Sequence, residues 1–142
     1  MPSKTRRANE SFYADPGRLF SISEAVAAPP QAVWQLLIDT QAWPEWGPSV
    51  AAVACKDRYI GPAAAGRIKT RVGLWVGFEV TDFMPGTCWA WRVAGIRATG
   101  HRVAARDEHR CRLFFDLPKI AAPYAWVCRT AARRIKRMAE NS

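Results

Sequence analysis

The chain has 142 residues, 49% of them hydrophobic, with seven Trp, six Phe and three Tyr. That length suits one domain with a sizeable core, and so much apolar and aromatic content excludes a disordered chain. Lys and Arg outnumber Asp and Glu by 21 to 12, a formal charge of +9 that favours anionic partners in general.

The four cysteines, Cys55, Cys88, Cys111 and Cys128, stand far apart without a C-x-x-C pair, and two histidines do not complete a zinc pattern around them. No metal or cofactor site is expected. No stretch approaches the roughly 18 apolar residues of a membrane span, and the N-terminus lacks the apolar core of a signal peptide. A cytoplasmic protein with reduced thiols is therefore expected.

Residues 1–17 are polar and basic (Lys4, Arg6, Arg7) and close on Asp15-Pro-Gly17. They predict a flexible arm ahead of one domain over residues 18–142. Phe20, Ile22 and Val26 then recur at the period of a half-buried strand. Pro29-Pro30 ends that strand and suits a helix start, with Ala32, Val33, Leu36 and Leu37 at helical spacing as far as Asp39. The run from Gln41 to Pro48 allows one further helical turn at most, so Trp43 and Trp46 need anchors elsewhere.

From Ser49 to Leu117 the pattern predicts six strands: Val50–Tyr59, Gly66–Val72, Leu74–Phe83, Thr87–Gly95, Ala98–Arg106 and Arg110–Leu117. Their connections are too short for parallel crossovers, so neighbours run antiparallel. The Gly61–Gly66 segment is a turn, since it lacks the Gly-Lys-Ser/Thr ending of a phosphate loop. Alternation puts Trp89, Trp91, Val93, Thr99, His101, Val103 and Phe115 on one face and Arg92, Arg102, Arg110 and Arg112 on the other. A long helix from Ile120 to about Glu140 follows, with Pro123 in its first turn. Its apolar stripe is Ile120, Tyr124, Val127, Cys128, Ala131, Ile135 and Met138, opposite Arg129, Arg133, Lys136 and Arg137.

This order predicts an α+β helix-grip fold: a curved seven-stranded antiparallel sheet wrapped around a long C-terminal helix, with a short broken helix after the first strand. The aromatic face needs a cover, and only the last helix is long enough to supply it. A cavity between the two is a natural small-molecule site.

The stretch Val26-Ala-Ala-Pro-Pro-Gln-Ala-Val-Trp-Gln-Leu-Leu-Ile-Asp39, followed by Trp43-Pro-Glu-Trp46-Gly-Pro48, resembles the opening of the polyketide cyclase/dehydrase and lipid-transport proteins of the START-like (SRPBCC) superfamily. The Gly61–Gly66 turn, Val80-Thr-Asp-Phe-Met-Pro85-Gly86 with Trp89-Ala-Trp91, and the closing helix extend the likeness over about Leu19 to Met138. The resemblance implies the helix-grip fold. It implies no activity, because the superfamily holds carriers, receptors, cyclases and oxygenase domains without a shared catalytic motif.

Trp46, Phe78, Trp89, Trp91, Phe115 and Tyr124 are candidate pocket walls, with plain core packing as the competing reading. Trp46 reads either as a gate or as a loop tryptophan pinned to the core. His101 is the one ionisable side chain inferred to face inward on the later strands. It is a candidate polar handle or proton-transfer group, against a structural histidine bonded to Tyr124 or to backbone. Glu24 would also face inward if its strand register holds, with Arg67 or Arg71 as partner. Glu79 and Asp82 face opposite ways and form no carboxylate pair.

Two functions follow: binding of a hydrophobic small molecule (lipid, quinone or polyketide-like), or a cyclase/dehydratase acting on a polyketide-like substrate in the same cavity, with His101 moving a proton. The basic face of the last helix offers contact with an acidic membrane surface. Nucleic acid is not an expected partner, since aromatic and basic residues lie on opposite faces.

Overall fold

A computed structural model describes residues 11–142 of the chain. Strand β1 (Leu19–Val26) leads to helix α1 (Pro30–Ile38) and the single turn α2 (Trp43–Trp46). Six strands follow: β2 (Val50–Ala54), β3 (Ala65–Thr70), β4 (Trp75–Met84), β5 (Cys88–Val93), β6 (Ile96–Ala105) and β7 (Cys111–Pro118). After a 3₁₀ stretch, Lys119–Tyr124, helix α3 (Ala125–Glu140) completes the chain. The sheet order is β1-β7-β6-β5-β4-β3-β2, antiparallel throughout, so the helix-grip prediction is correct. Register shifts between Val80 and Asp82 and between Ala90 and Arg92 put bulges in the middle of the sheet, where added twist curves it.

The tryptophan anchors explain the break between α1 and α2. Trp43 and Trp46 donate their indole N–H groups to the carbonyls of Leu37 and Leu36, each at 2.9 Å. These carbonyls lie in the last turn of α1, where the helix itself leaves acceptors open. Asp39 fixes the same corner by accepting from Arg58 at 3.0 Å and from the Gln41 N–H at 2.9 Å. The Arg58 hydrogen bond holds the Asp39 carboxyl below its usual range.

Helix α3 buries Val127, Cys128, Ala131, Ala132, Ile135 and Ala139 against the concave face. The helix is shorter than its periodicity suggests. Pro118 precedes and Pro123 lies within a 3₁₀ segment, and Ile120, expected in the buried stripe, is almost fully exposed. Strand β2 likewise stops at Ala54, because residues 55–64 form a loop held to Asp39 and Thr40. Glu24 faces Arg133 of α3 at 3.9 Å, rather than Arg67 or Arg71. Arg71 instead donates to the carbonyls of Pro48 and Pro44, and the guanidinium of Arg67 lies over the Trp75 ring.

Of the arm expected over residues 1–17, the part over residues 1–10 lies outside the described residues. From Ser11 the chain packs on the convex face of the sheet. The Phe12 side chain is fully buried, the Phe12 N–H donates to Asp82 at 2.8 Å, and the Tyr13 hydroxyl donates to Asp116 at 2.6 Å. Gly100 makes this seat: a Cβ there would overlap the Tyr13 hydroxyl and stand 3.0 Å from the Phe12 ring. Gly100→Ala is expected to unseat residues 11–14 and to cost about 1.5–3 kcal/mol, the burial of one large apolar side chain. Urea unfolding of this variant and of Phe12→Ala checks it; an unchanged midpoint in Gly100→Ala would exclude the seat.

Candidate functional site

Aromatic rings from α2 and the central strands meet on the concave face. Trp89 lies between Trp43, stacked at 5.5 Å between centroids and 16° between planes, and His101, at 4.0 Å and 28°. Trp91 and Phe78 close edge-on against Trp43 at 5.2 and 5.4 Å. Such offset and edge contacts make this part of the interior a filled core.

The register places His101 opposite both Trp89 and Phe115, with Thr99 two residues away on the same face. The His101 Nδ1 lies 3.1 Å from the Trp89 carbonyl, which can only accept. Nδ1 therefore carries the proton, and the bare Nε2 accepts from the Thr99 hydroxyl at 3.1 Å. Thr99 Oγ1 in turn accepts from the Trp91 indole N–H at 2.9 Å. Burial lowers the His101 pKa to about 4, outweighing the raising effects of the Trp89 carbonyl and of Asp116. At neutral pH the imidazole is uncharged and both its nitrogens are occupied. Thr99 keeps one lone pair, the relay's open acceptor.

Beside this relay an apolar cavity opens between the sheet and the start of α3, in two adjacent lobes that share Ser49, Val50, Trp91, Thr99 and Tyr124 as walls. The inner lobe, about 40 Å³, reaches Trp46, His101 and Phe115 on one side and Val127, Cys128 and Ala131 on the other. It has room for a few waters. The outer lobe, about 380 Å³, is walled by Val50, Ile68, Val76, Trp91, Val93 and Ala121, with Thr70, Thr99 and Arg97 as polar points. That volume falls within the roughly 300–1,000 Å³ usual for small-molecule sites. Ser49 and Tyr124 border both lobes, and their hydroxyls share a hydrogen bond of 2.7 Å that ties the loop after α2 to the turn before α3.

Of the residues singled out from the sequence, Trp46, Trp91, His101, Phe115 and Tyr124 border the cavity. Phe78 and Trp89 belong to the packed core, since neither borders these lobes. Trp46 both lines the inner lobe and is pinned through its indole N–H. His101 bonds backbone and Thr99, whereas Tyr124 bonds Ser49. Sequence reasoning missed Thr99, Arg97 and the aliphatic wall of Val50, Ile68 and Val76. Thr99 had been placed on the inner face, and its neighbourhood with Trp91 and His101 across the β5–β6 pair was the available signal.

No helix among the described residues is long and apolar enough to cross a membrane. Several solved structures share the fold. The Zhui aromatase/cyclase from Streptomyces sp. R1128 superposes with a TM-score of 0.70 at 16% identity, over 87% of this chain and 94% of that one. The di-domain aromatase/cyclase StfQ of the steffimycin biosynthetic pathway gives 0.64 at 14% identity, over 87% of this chain and 51% of that one. A conserved protein of unknown function, EF2215 from Enterococcus faecalis, gives 0.63 at 17% identity, over 86% and 71%. No curated protein matches the sequence at a significant level. The family described as polyketide cyclase / dehydrase and lipid transport matches residues 19–142. With the curved sheet, the gripped helix and the apolar cavity between them in place, the chain belongs to that family of the START-like (SRPBCC) superfamily.

Proposed function

We propose that this protein holds an amphipathic, largely apolar small molecule of the lipid, quinone or polyketide kind in the outer lobe. The apolar body would lie against Val50, Ile68, Val76 and Trp91, with a polar group donating to Thr99 or meeting Arg97 at the opening. The observation that carries this reading is the apolar lobe of about 380 Å³ that ends at the open acceptor of Thr99.

Holding is favoured over proton transfer by the state of His101. To act as a base, its Nε2 would have to release Thr99, and a group that titrates at about 4 is a weak base near neutrality. The aromatase/cyclase relatives share the fold at too low an identity to transfer their chemistry.

Native mass spectrometry of the purified protein, with organic extraction of whatever co-purifies, identifies the ligand class. Val76→Trp supplies the control, because its indole fills the outer lobe from a partly exposed strand position. It is expected to weaken binding of the extracted compound, or of an apolar fluorescent probe, by roughly ten-fold or more while the fold persists. A protein that is empty, ignores the probe and is indifferent to Val76→Trp would overturn the proposal.

A further inference from the structure

The mouth of the outer lobe is ringed by apolar side chains that the fold leaves bare. They stand one or two residues along the chain from residues that line the two lobes. Val72 and Leu74, 82% and 64% exposed, sit at the tip of the β3–β4 hairpin between Thr70 and Val76. Ile96, 70% exposed, precedes Arg97 at the β5–β6 hairpin, and Ile120, 93% exposed, precedes Ala121 in the 3₁₀ segment. Trp126, 65% exposed, follows in the first turn of α3. The antiparallel order puts both hairpin tips and the end of β7 at the same end of the sheet.

Charge is divided along the same axis. Residues 67–79, 91–100 and 117–130, which build this end, contain Arg67, Lys69, Arg71, Arg92, Arg97, Lys119 and Arg129 against one acid, Glu79, which lies opposite Arg92. Asp15, which lies near this end ahead of β1, is paired with Arg18 at 3.2 Å. Asp107 and Glu108 occupy the β6–β7 hairpin at the opposite end, and Glu140 ends α3 there. The basic face of α3 is partly engaged within the molecule: Lys136 is bonded to Glu140 and to the Ala25 carbonyl, and Arg133 faces Glu24.

We infer that the protein docks mouth-first on an anionic lipid bilayer, with Val72, Leu74, Ile96 and Ile120 dipping into the interface and the surrounding cations meeting acidic headgroups. The bare side chains stand on separate turns around an opening. That shape suits insertion into a soft surface, where each tip is surrounded by acyl chains, better than contact with a flat rigid partner. Flanks in which cations far outnumber acids supply electrostatic attraction to acidic lipid, and long Lys and Arg side chains keep their charge at headgroup level while the tips go deeper. The inference rests on the outer lobe as the ligand site, since docking in this orientation would open that lobe directly to lipid.

The test is co-sedimentation of the intact protein with vesicles of phosphatidylcholine alone and of phosphatidylcholine with phosphatidylglycerol. Binding to the anionic vesicles is expected, weakened by salt and lowered roughly ten-fold or more by the pair Leu74→Ser and Ile120→Ser, which removes two apolar tips from the interface. Arg133→Gln with Arg137→Gln on α3 should change it little. Loss of binding in the helix pair with the tip pair unaffected would overturn the inference, as would no binding to either vesicle. Self-association abolished by the tip pair, without vesicle binding, would make the ring a face for a second copy and also overturn it. Apolar probe binding in the tip variants, and vesicle binding in Val76→Trp, keep the two readings apart: failure to dock with probe binding intact removes only the docking.

Discussion

His101→Gln is expected to remove most of the loss of stability that the parent protein suffers between pH 6.5 and 4.5. The folded imidazole titrates at about 4, while the unfolded one keeps its ordinary 6.5. Between those values the unfolded chain binds the extra proton, so stability is fully present above 6.5 and declines as the pH falls toward 4. The loss amounts to about 2–3 kcal/mol by pH 4.5. Asp39, Asp107 and Asp116, held below their ordinary 3.8, and Glu140, held below its ordinary 4.5, contribute stability that is lost as the pH falls through and below those values, so the window above 4.5 belongs to His101. Glutamine can accept from Thr99 and donate to the Trp89 carbonyl without a titrating ring. Urea unfolding at pH 7.5, 5.5 and 4.5 measures the difference. Parallel pH profiles for parent and variant would show that His101 is hydrated or charged in the fold, against its complete burial and paired nitrogens.

The elements of this fold were legible because each is driven by a strong local signal. Pro29-Pro30 starts α1, glycine and proline mark the strand turns, and Cys128, Ala131 and Ile135 keep the last helix against the sheet. Strand and helix limits failed where long-range contacts decide them. The loop after Ala54 is held by Asp39 and Thr40, distant in sequence, and Pro118 with Pro123 turned the expected first turn of the last helix into a 3₁₀ segment that exposes Ile120. The site was half legible. Alternation put Trp91, Thr99, His101 and Phe115 on one face correctly, but periodicity cannot tell which aromatic rings fill space and which leave it empty. Trp43, read from the sequence only as needing an anchor, fills the space beside Phe78 and Trp89 and so displaces the cavity toward Val50, Ile68 and Val76. The seat of Phe12 was illegible for a related reason: an opening rich in charge gives no hint that Gly100, almost ninety residues on, leaves room for it.

Asp116→Asn is expected to destabilise the fold by about 3 kcal/mol, the lower end of the cost of breaking a buried ion pair from one side. Asp116 is almost wholly buried on the convex face and accepts from Arg102 Nε at 2.6 Å, Ser21 Oγ at 2.6 Å and Tyr13 at 2.6 Å. Burial pushes its carboxyl upward, yet the hydrogen bonds from Arg102, Ser21 and Tyr13 and the Arg102 charge prevail and hold it below the usual range. An amide in its place offers one acceptor oxygen where two are used, and turns an N–H₂ group toward donors. Arg102 is 35% exposed, so water recovers part of its charge and keeps the loss from reaching the upper end of the range. Arg102→Met with Asp116→Asn should therefore cost less than the sum of the single changes, since it removes the stranded guanidinium as well. The expected signature in a double-mutant cycle of urea unfolding is a coupling of about 1 kcal/mol or more. Strict additivity would mean that Asp116 is held by its hydroxyl partners alone. In that case Tyr13→Phe would carry the larger share of the loss, and the segment from Ser11 to Ala14 would be what stabilises the carboxylate.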